Sequence, residues 1–106
     1  MILTTQDNFA DYKIAKTLSI IFGSTVRTRH LGTHFMAGVK ELFGGEISGY
    51  TDLLVSAREE ALERLIKSAN NLNADGIVAI RFSTSSIASG ASEILVTGTA
   101  VKLEKN

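Results

Sequence analysis

Between Ile14 and Thr28 the chain changes character with a period of two. Ile14, Lys16, Leu18, Ile20, Phe22, Ser24 and Val26 take one set of alternate positions, and Ala15, Thr17, Ser19, Ile21, Gly23, Thr25 and Arg27 take the other. Successive side chains of a strand point to opposite faces, so this pattern predicts a long β-strand, with a bend or bulge expected at Gly23. Ile2 to Thr5 could add a short edge strand. From about His30 to Phe43 the period lengthens: Leu31, Phe35, Val39 and Leu42, flanked by Met36 and Phe43, share one arc of a helix, which Gly44-Gly45 is expected to stop. Tyr50 to about Leu72 carries the clearest helical pattern. Leu54, Ala57, Ala61, Leu62, Leu65, Ala69 and Leu72 fall on one face, and Glu59, Glu60, Glu63 and Lys67 on the other. Asn73-Ala74-Asp75-Gly76 reads as a turn. Two β-rich runs follow, Ile77 to Ile87 and Glu93 to Leu103, joined by the hairpin loop Ala88-Ser89-Gly90-Ala91-Ser92.

The predicted order is strand, helix, helix, strand, strand. A strand joined through helices to a later strand prefers a right-handed crossover, and the last strand can insert between them as an antiparallel neighbour. The expectation is therefore an α+β domain of two layers, with a β-α-β-β core and a mainly antiparallel sheet. Both sheet faces carry apolar side chains, with Ile77 and Ala79 set against Val78, Ile80 and Phe82, and Leu95, Val101 and Leu103 set against Ile94 and Val96. One helix layer covers one face. The other needs a partner, most simply another copy of the chain.

The 106 residues fit one domain, spanning 1–106, that buries roughly two-thirds of the surface its unfolded chain exposes. Eleven basic residues balance eleven acidic ones, which argues against a surface built for nucleic acid. With no cysteine, disulfides, thiolate metal sites and thiol chemistry are excluded. Met1 to Asp7 lacks the basic and long apolar regions of a signal peptide, and no apolar run approaches membrane-spanning length, so a cytoplasmic protein with no membrane partner is expected. Proline is absent, leaving turns to glycine, asparagine, aspartate and serine.

Few residues suggest chemistry. His30 and His34 stand four apart, so a helix would bring both imidazoles to one face with Glu41 on the same stripe. That spacing suits a metal, but solvated histidines are the commoner use of it. Gly44 to Tyr50 precedes the long helix without the lysine of a phosphate loop, which makes it a tight interhelical turn. Arg27, Arg29 and Lys40 make a small basic patch. There is no Gly-x-Ser-x-Gly elbow or Ser-x-x-Lys element, so no nucleophile is nominated. Arg58 lies in the middle of the long helix's apolar face on a helical wheel, which predicts a guanidinium paired inside the fold or assembly, or one contacting an anion. Asp75 and Glu41 are its candidate partners.

Several segments, in this order and spacing, resemble the YbjQ-like family, small bacterial and archaeal proteins of unestablished function to which heavy-metal binding has been attributed. They are Ile2-Leu3-Thr4-Thr5, Ala37-Gly38, Gly44-Gly45-Glu46 followed by Tyr50-Thr51, Ala57-Arg58-Glu59, Ala74-Asp75-Gly76-Ile77-Val78 and Gly98-Thr99-Ala100-Val101. The match runs almost end to end. The resemblance implies a dodecin-like β-α-β-β core with added short strands, assembled as a cyclic homopentamer. His34 stands where relatives tend to carry an acidic residue, and the thiols that suit heavy metals are missing. The expected function is a non-enzymatic, cytoplasmic homo-oligomer acting as a scaffold or small-ligand binder that requires no cofactor, with metal-ion binding through His30 and His34 as the alternative.

Overall fold

The computed structural model describes residues 1–28, 42–88 and 90–106, with backbone alone for 28 and 42–50. Strand β1 is Ile2–Leu3, β2 is Tyr12–Thr28, helix α1 is Leu42–Asn71, β3 is Gly76–Ala88 and β4 is Ala91–Lys105. The sheet order is β1-β3-β4-β2. β4 runs antiparallel to both β2 and β3, and β1 adds parallel to β3, so the sheet is mixed and the fold is α+β. The last strand has inserted between its two predecessors, as the order of elements predicted.

The helix differs from the sequence expectation at its start. Gly44-Gly45 does not end a first helix, and Gly44 to Tyr50 is not an interhelical turn, because α1 runs unbroken through both. A glycine inside a helix costs only about 1 kcal/mol relative to alanine, and each residue added to an existing helix gains a hydrogen bond. Leu42 and Phe43 belong to this helix; the rest of the segment assigned to a first helix, His30 to Glu41, lies outside the described residues.

The C-terminal end of α1 is built as the Asn-Ala-Asp-Gly turn suggested. Asn73 takes the left-handed conformation at φ 59°, its N–H donates to the Asn70 carbonyl at 3.0 Å, and the Ala74 N–H reaches back to the Ala69 carbonyl at 3.1 Å. These two bonds are a Schellman closure, which satisfies carbonyls that the last helical turn leaves free. Asp75 then locks the turn to β4. Its N–H donates to the Val101 carbonyl at 2.8 Å, and its carboxylate accepts the Leu103 N–H at 2.9 Å.

The core lies between α1 and one sheet face. Ala57, Ala61, Leu65 and Ala69, one i+4 ridge of the helix, are wholly buried against Ile21 of β2, Ile77 and Ile80 of β3, and Ile94, Val96 and Ala100 of β4. Three alanines in that ridge let the helix backbone come close to the sheet. The closest approach is at Gly23, where a Cβ would lie 2.7 Å from the Leu65 nitrogen and collide with the Ala61 carbonyl oxygen. Beside it the buried Thr25 hydroxyl donates to the Ala57 carbonyl at 3.1 Å. Gly23 therefore marks the crossing of helix over strand and not a break. The irregularities in β2 fall earlier, between Ile14 and Lys16 and between Thr17 and Ser19.

A bulge in β3 also overturns an expected facing. Ala79 has φ 54°, and the register against β4 gains a residue between Val78 and Arg81. The N–H groups of Ala79 and Ile80 turn outward to the carbonyls of Gln6 and Thr4, at 2.8 and 3.2 Å. The extra residue reverses the alternation. Ile80 and Phe82 consequently share the helix side with Ile77, where strict alternation had grouped them with Val78. At that end of the sheet, Gly76 lies opposite Val101 and close to the Phe9 ring.

Candidate functional site

A charged clamp fixes the helix to the outer strand. Arg27 of β2 donates to Glu60 Oε1 at 2.7 Å, Arg64 donates to Glu60 Oε2 at 2.6 Å, and Arg64 also reaches the Ser24 carbonyl. Hydrogen bonding from Arg27 lowers the Glu60 pKa below its ordinary value, reinforced by the positive charge of Arg64 and Arg27. At the far end of the helix the Leu103 N–H holds the Asp75 carboxyl below its usual range, with the Lys102 ammonium adding to the effect. Both carboxylates therefore have structural partners that account for them.

Arg58 is exposed and has no ion pair among the described residues, so of the expected roles pairing inside one copy is not seen, while pairing between copies and contact with an anion are left open. The wheel misleads because it averages over the whole helix. Along an i+4 row the facing direction drifts by about 40° per step, since 3.6 residues make a turn. The buried row starts at Ala57, and Arg58 lies about 100° around the helix from that contact. Of its two expected partners, Asp75 is engaged with Leu103 and Lys102, and Glu41 lies outside the described residues. His30 and His34, with Arg29 and Lys40 of the basic patch, also lie outside them. Among the described residues no group of three or more histidines, aspartates or glutamates is gathered as a metal would require.

Near the chain ends, Asp7, Phe9, Tyr12, Lys13 and Asn106 line an open depression, with the Phe9 and Tyr12 rings edge to face at 6.4 Å. It presents no converging catalytic groups. The larger feature is apolar. On the sheet face away from the helix Ile20, Phe22 and Val26 are 65%, 57% and 50% exposed. Ile87, near the end of β3, is also uncovered. On the helix side Phe82 is 45% exposed although it lies opposite Val96, which is wholly buried. The helix covers β2 and β4 and stops short of the distal half of β3. Sequence reading found the second apolar face but assigned no residue to the core side of β2. The richer set, Ile20, Phe22 and Val26, faces outward, and the set containing Ile21, Gly23 and Thr25 faces the helix.

One helix packed on a four-stranded mixed sheet, with the other sheet face open at Ile20, Phe22 and Val26 and no assembled catalytic group among the described residues, defines the class: a small α+β domain. The chain belongs to the YbjQ family, whose model, described as "Putative heavy-metal-binding", matches residues 1–104. It is 50% identical over 105 residues to a UPF0145 protein of Thermotoga petrophila, covering 99% of each chain. To a UPF0145 protein of Psychrobacter arcticus it is 49% identical over 100 residues, spanning 94% of this chain and 63% of that longer one. A crystal structure of a protein of unknown function from Pediococcus pentosaceus, of the DUF74 family, shares the fold at a TM-score of 0.58 and 21% identity, covering 100% of this chain and 98% of the other. No helix among the described residues is long and apolar enough to cross a membrane.

Proposed function

We propose that this protein is a non-enzymatic homo-oligomer of the cytoplasm, a scaffold or small-ligand binder whose uncovered sheet face is enclosed when copies assemble. The exposure of Ile20, Phe22 and Val26 on one face of β2 carries this reading. Contiguous apolar surface rimmed by polar residues marks an interaction site, and in a homo-oligomer the missing cover is supplied by the chain itself. Five copies in a ring is the number the family resemblance implies. The test is light scattering behind size-exclusion chromatography on the parent and on Phe22→Lys, which places a charge in the centre of the face. The parent is expected to run as a defined oligomer and the variant to fall to smaller species with unchanged secondary structure by circular dichroism. A parent that is a monomer at micromolar concentration would overturn the proposal.

A further inference from the structure

Two open strand edges, an overhanging helix and a bare strip of sheet fit one another. The outer strand β2 has β4 as its only neighbour in the described sheet. Arg64 reaches the Ser24 carbonyl from outside the ladder, so Ser24 is one of the outward residues. In an antiparallel strand the N–H and C=O of one residue point the same way, and Phe22 and Val26 face outward with it. At the opposite side, the outer edge of β3 is occupied as far as Ile80, where the N–H donates to the Thr4 carbonyl. From Phe82 to Ala88 that edge has no strand partner among the described residues. Leu18 to Val26 and Phe82 to Ala88 contain no charge and no proline; what protection these edges have comes from Arg64 on the Ser24 carbonyl and from register irregularities at Leu18 and between Ser86 and Ala88.

The helix layer is displaced in the matching sense. Across one row of the sheet, Gly23 lies under the helix backbone, Val96 is fully buried, and Phe82 is open. Three strands at about 4.8 Å make a sheet about 14 Å wide, whereas a helix with its side chains is about 10 Å across. A helix placed over β2 overhangs the outer edge, where Glu60 and Arg64 meet Arg27 and Ser24, and leaves β3 bare.

We propose that β2 of one copy pairs in parallel with the distal half of β3, Phe82 to Ala88, of the next. The inference rests on the homo-oligomeric reading above and specifies its interface. One contact closes both gaps, because it satisfies the two open edges and brings the neighbour's helix over the strip containing Phe82. The pairing is parallel because β2 and β3 run the same way within one copy, and rotation about a ring axis along the strands preserves that direction. It joins two different surfaces and so propagates around a ring. Helices then lie outside, and Ile20, Phe22 and Val26 face the axis.

The absence of native cysteine makes a clean test. Ser24→Cys is combined in turn with Ser83→Cys or Ser85→Cys. All three positions lie on the face away from the helix, and side chains on adjacent strands come within disulfide reach. After mild oxidation, at least one double variant should give a covalent ladder beyond the dimer, ending at the copy number found by light scattering, while each single variant stays uncrosslinked. If the parent is oligomeric but no pair forms a ladder, or Ser24→Cys alone crosslinks to dimers, the edge contact is wrong and the oligomeric reading stands. A monomeric parent overturns both. Hydrogen exchange on the parent needs no variant: slow exchange at the Phe22 and Ser24 amides is expected, and fast exchange at both in the oligomer overturns the pairing.

Discussion

Replacing Gly23 by alanine tests how the helix is seated. The new methyl would lie 2.7 Å from the Leu65 nitrogen and collide with the Ala61 carbonyl oxygen. Ordinary contact begins near 3.4 Å. Both obstacles are helix backbone, so no rotamer change clears them, and the helix must lift or tilt by most of an ångström. That movement loosens the row Ala57, Ala61, Leu65 and Ala69, all fully buried. Overpacking of this kind costs typically about 1 to 3 kcal/mol, and the backbone contact puts Gly23→Ala near the upper end. Reduced freedom of the unfolded chain returns about 0.4 to 1 kcal/mol, leaving a net loss of about 2 kcal/mol. Urea denaturation at fixed protein concentration measures it, since assembly makes apparent stability concentration-dependent. Ala61→Gly in the same background should give no rescue, because the colliding atom belongs to the main chain. A Gly23→Ala protein within about 0.5 kcal/mol of the parent, or restored by Ala61→Gly, would refute the close-crossing argument.

Arg58→Ala should change stability by no more than about 0.5 kcal/mol, as expected for an exposed side chain without an ion pair among the described residues; a loss of about 3 kcal/mol or more in the same urea series would place Arg58 in a buried pair between copies. Stability should also fall on acidification. The pKa values of Asp75 and Glu60 are lowered in the fold from 3.8 and 4.5, so their contribution is present above those values and is lost as pH drops through the lower folded ones. Asp75→Asn and Glu60→Gln should each flatten the decline between neutral pH and pH 3, read from denaturation midpoints; a slope equal to the parent's in both variants would count against these two carboxylates.

Local patterns determined the order of elements in the described part of the chain. Alternation over Ile14 to Thr28 specified β2, the ridge from Ala57 to Ala69 specified α1, and Asn73 to Gly76 specified a turn, because each depends on neighbours in sequence and on residues tolerant of left-handed backbone. The presence of two apolar sheet faces was legible for the same reason. Which face the helix takes was not. Hydrophobicity favours the Ile20, Phe22, Val26 side, whereas docking distance favours the side with Gly23, where alanines and a glycine let two backbones approach. The bulge at Ala79 depends on outward hydrogen bonds to Gln6 and Thr4, more than seventy residues away in the chain, and it reassigns Ile80 and Phe82 to the helix side. The exposure of Arg58 follows from the drift of a buried i+4 row along a helix, which a wheel projects onto a single face. Apart from Gly44 to Tyr50, where the expected turn is helix, sequence thus determined what each described segment is, through interactions within a few residues, and tertiary structure decided what each segment faces, through contacts that exist only once the segments have met.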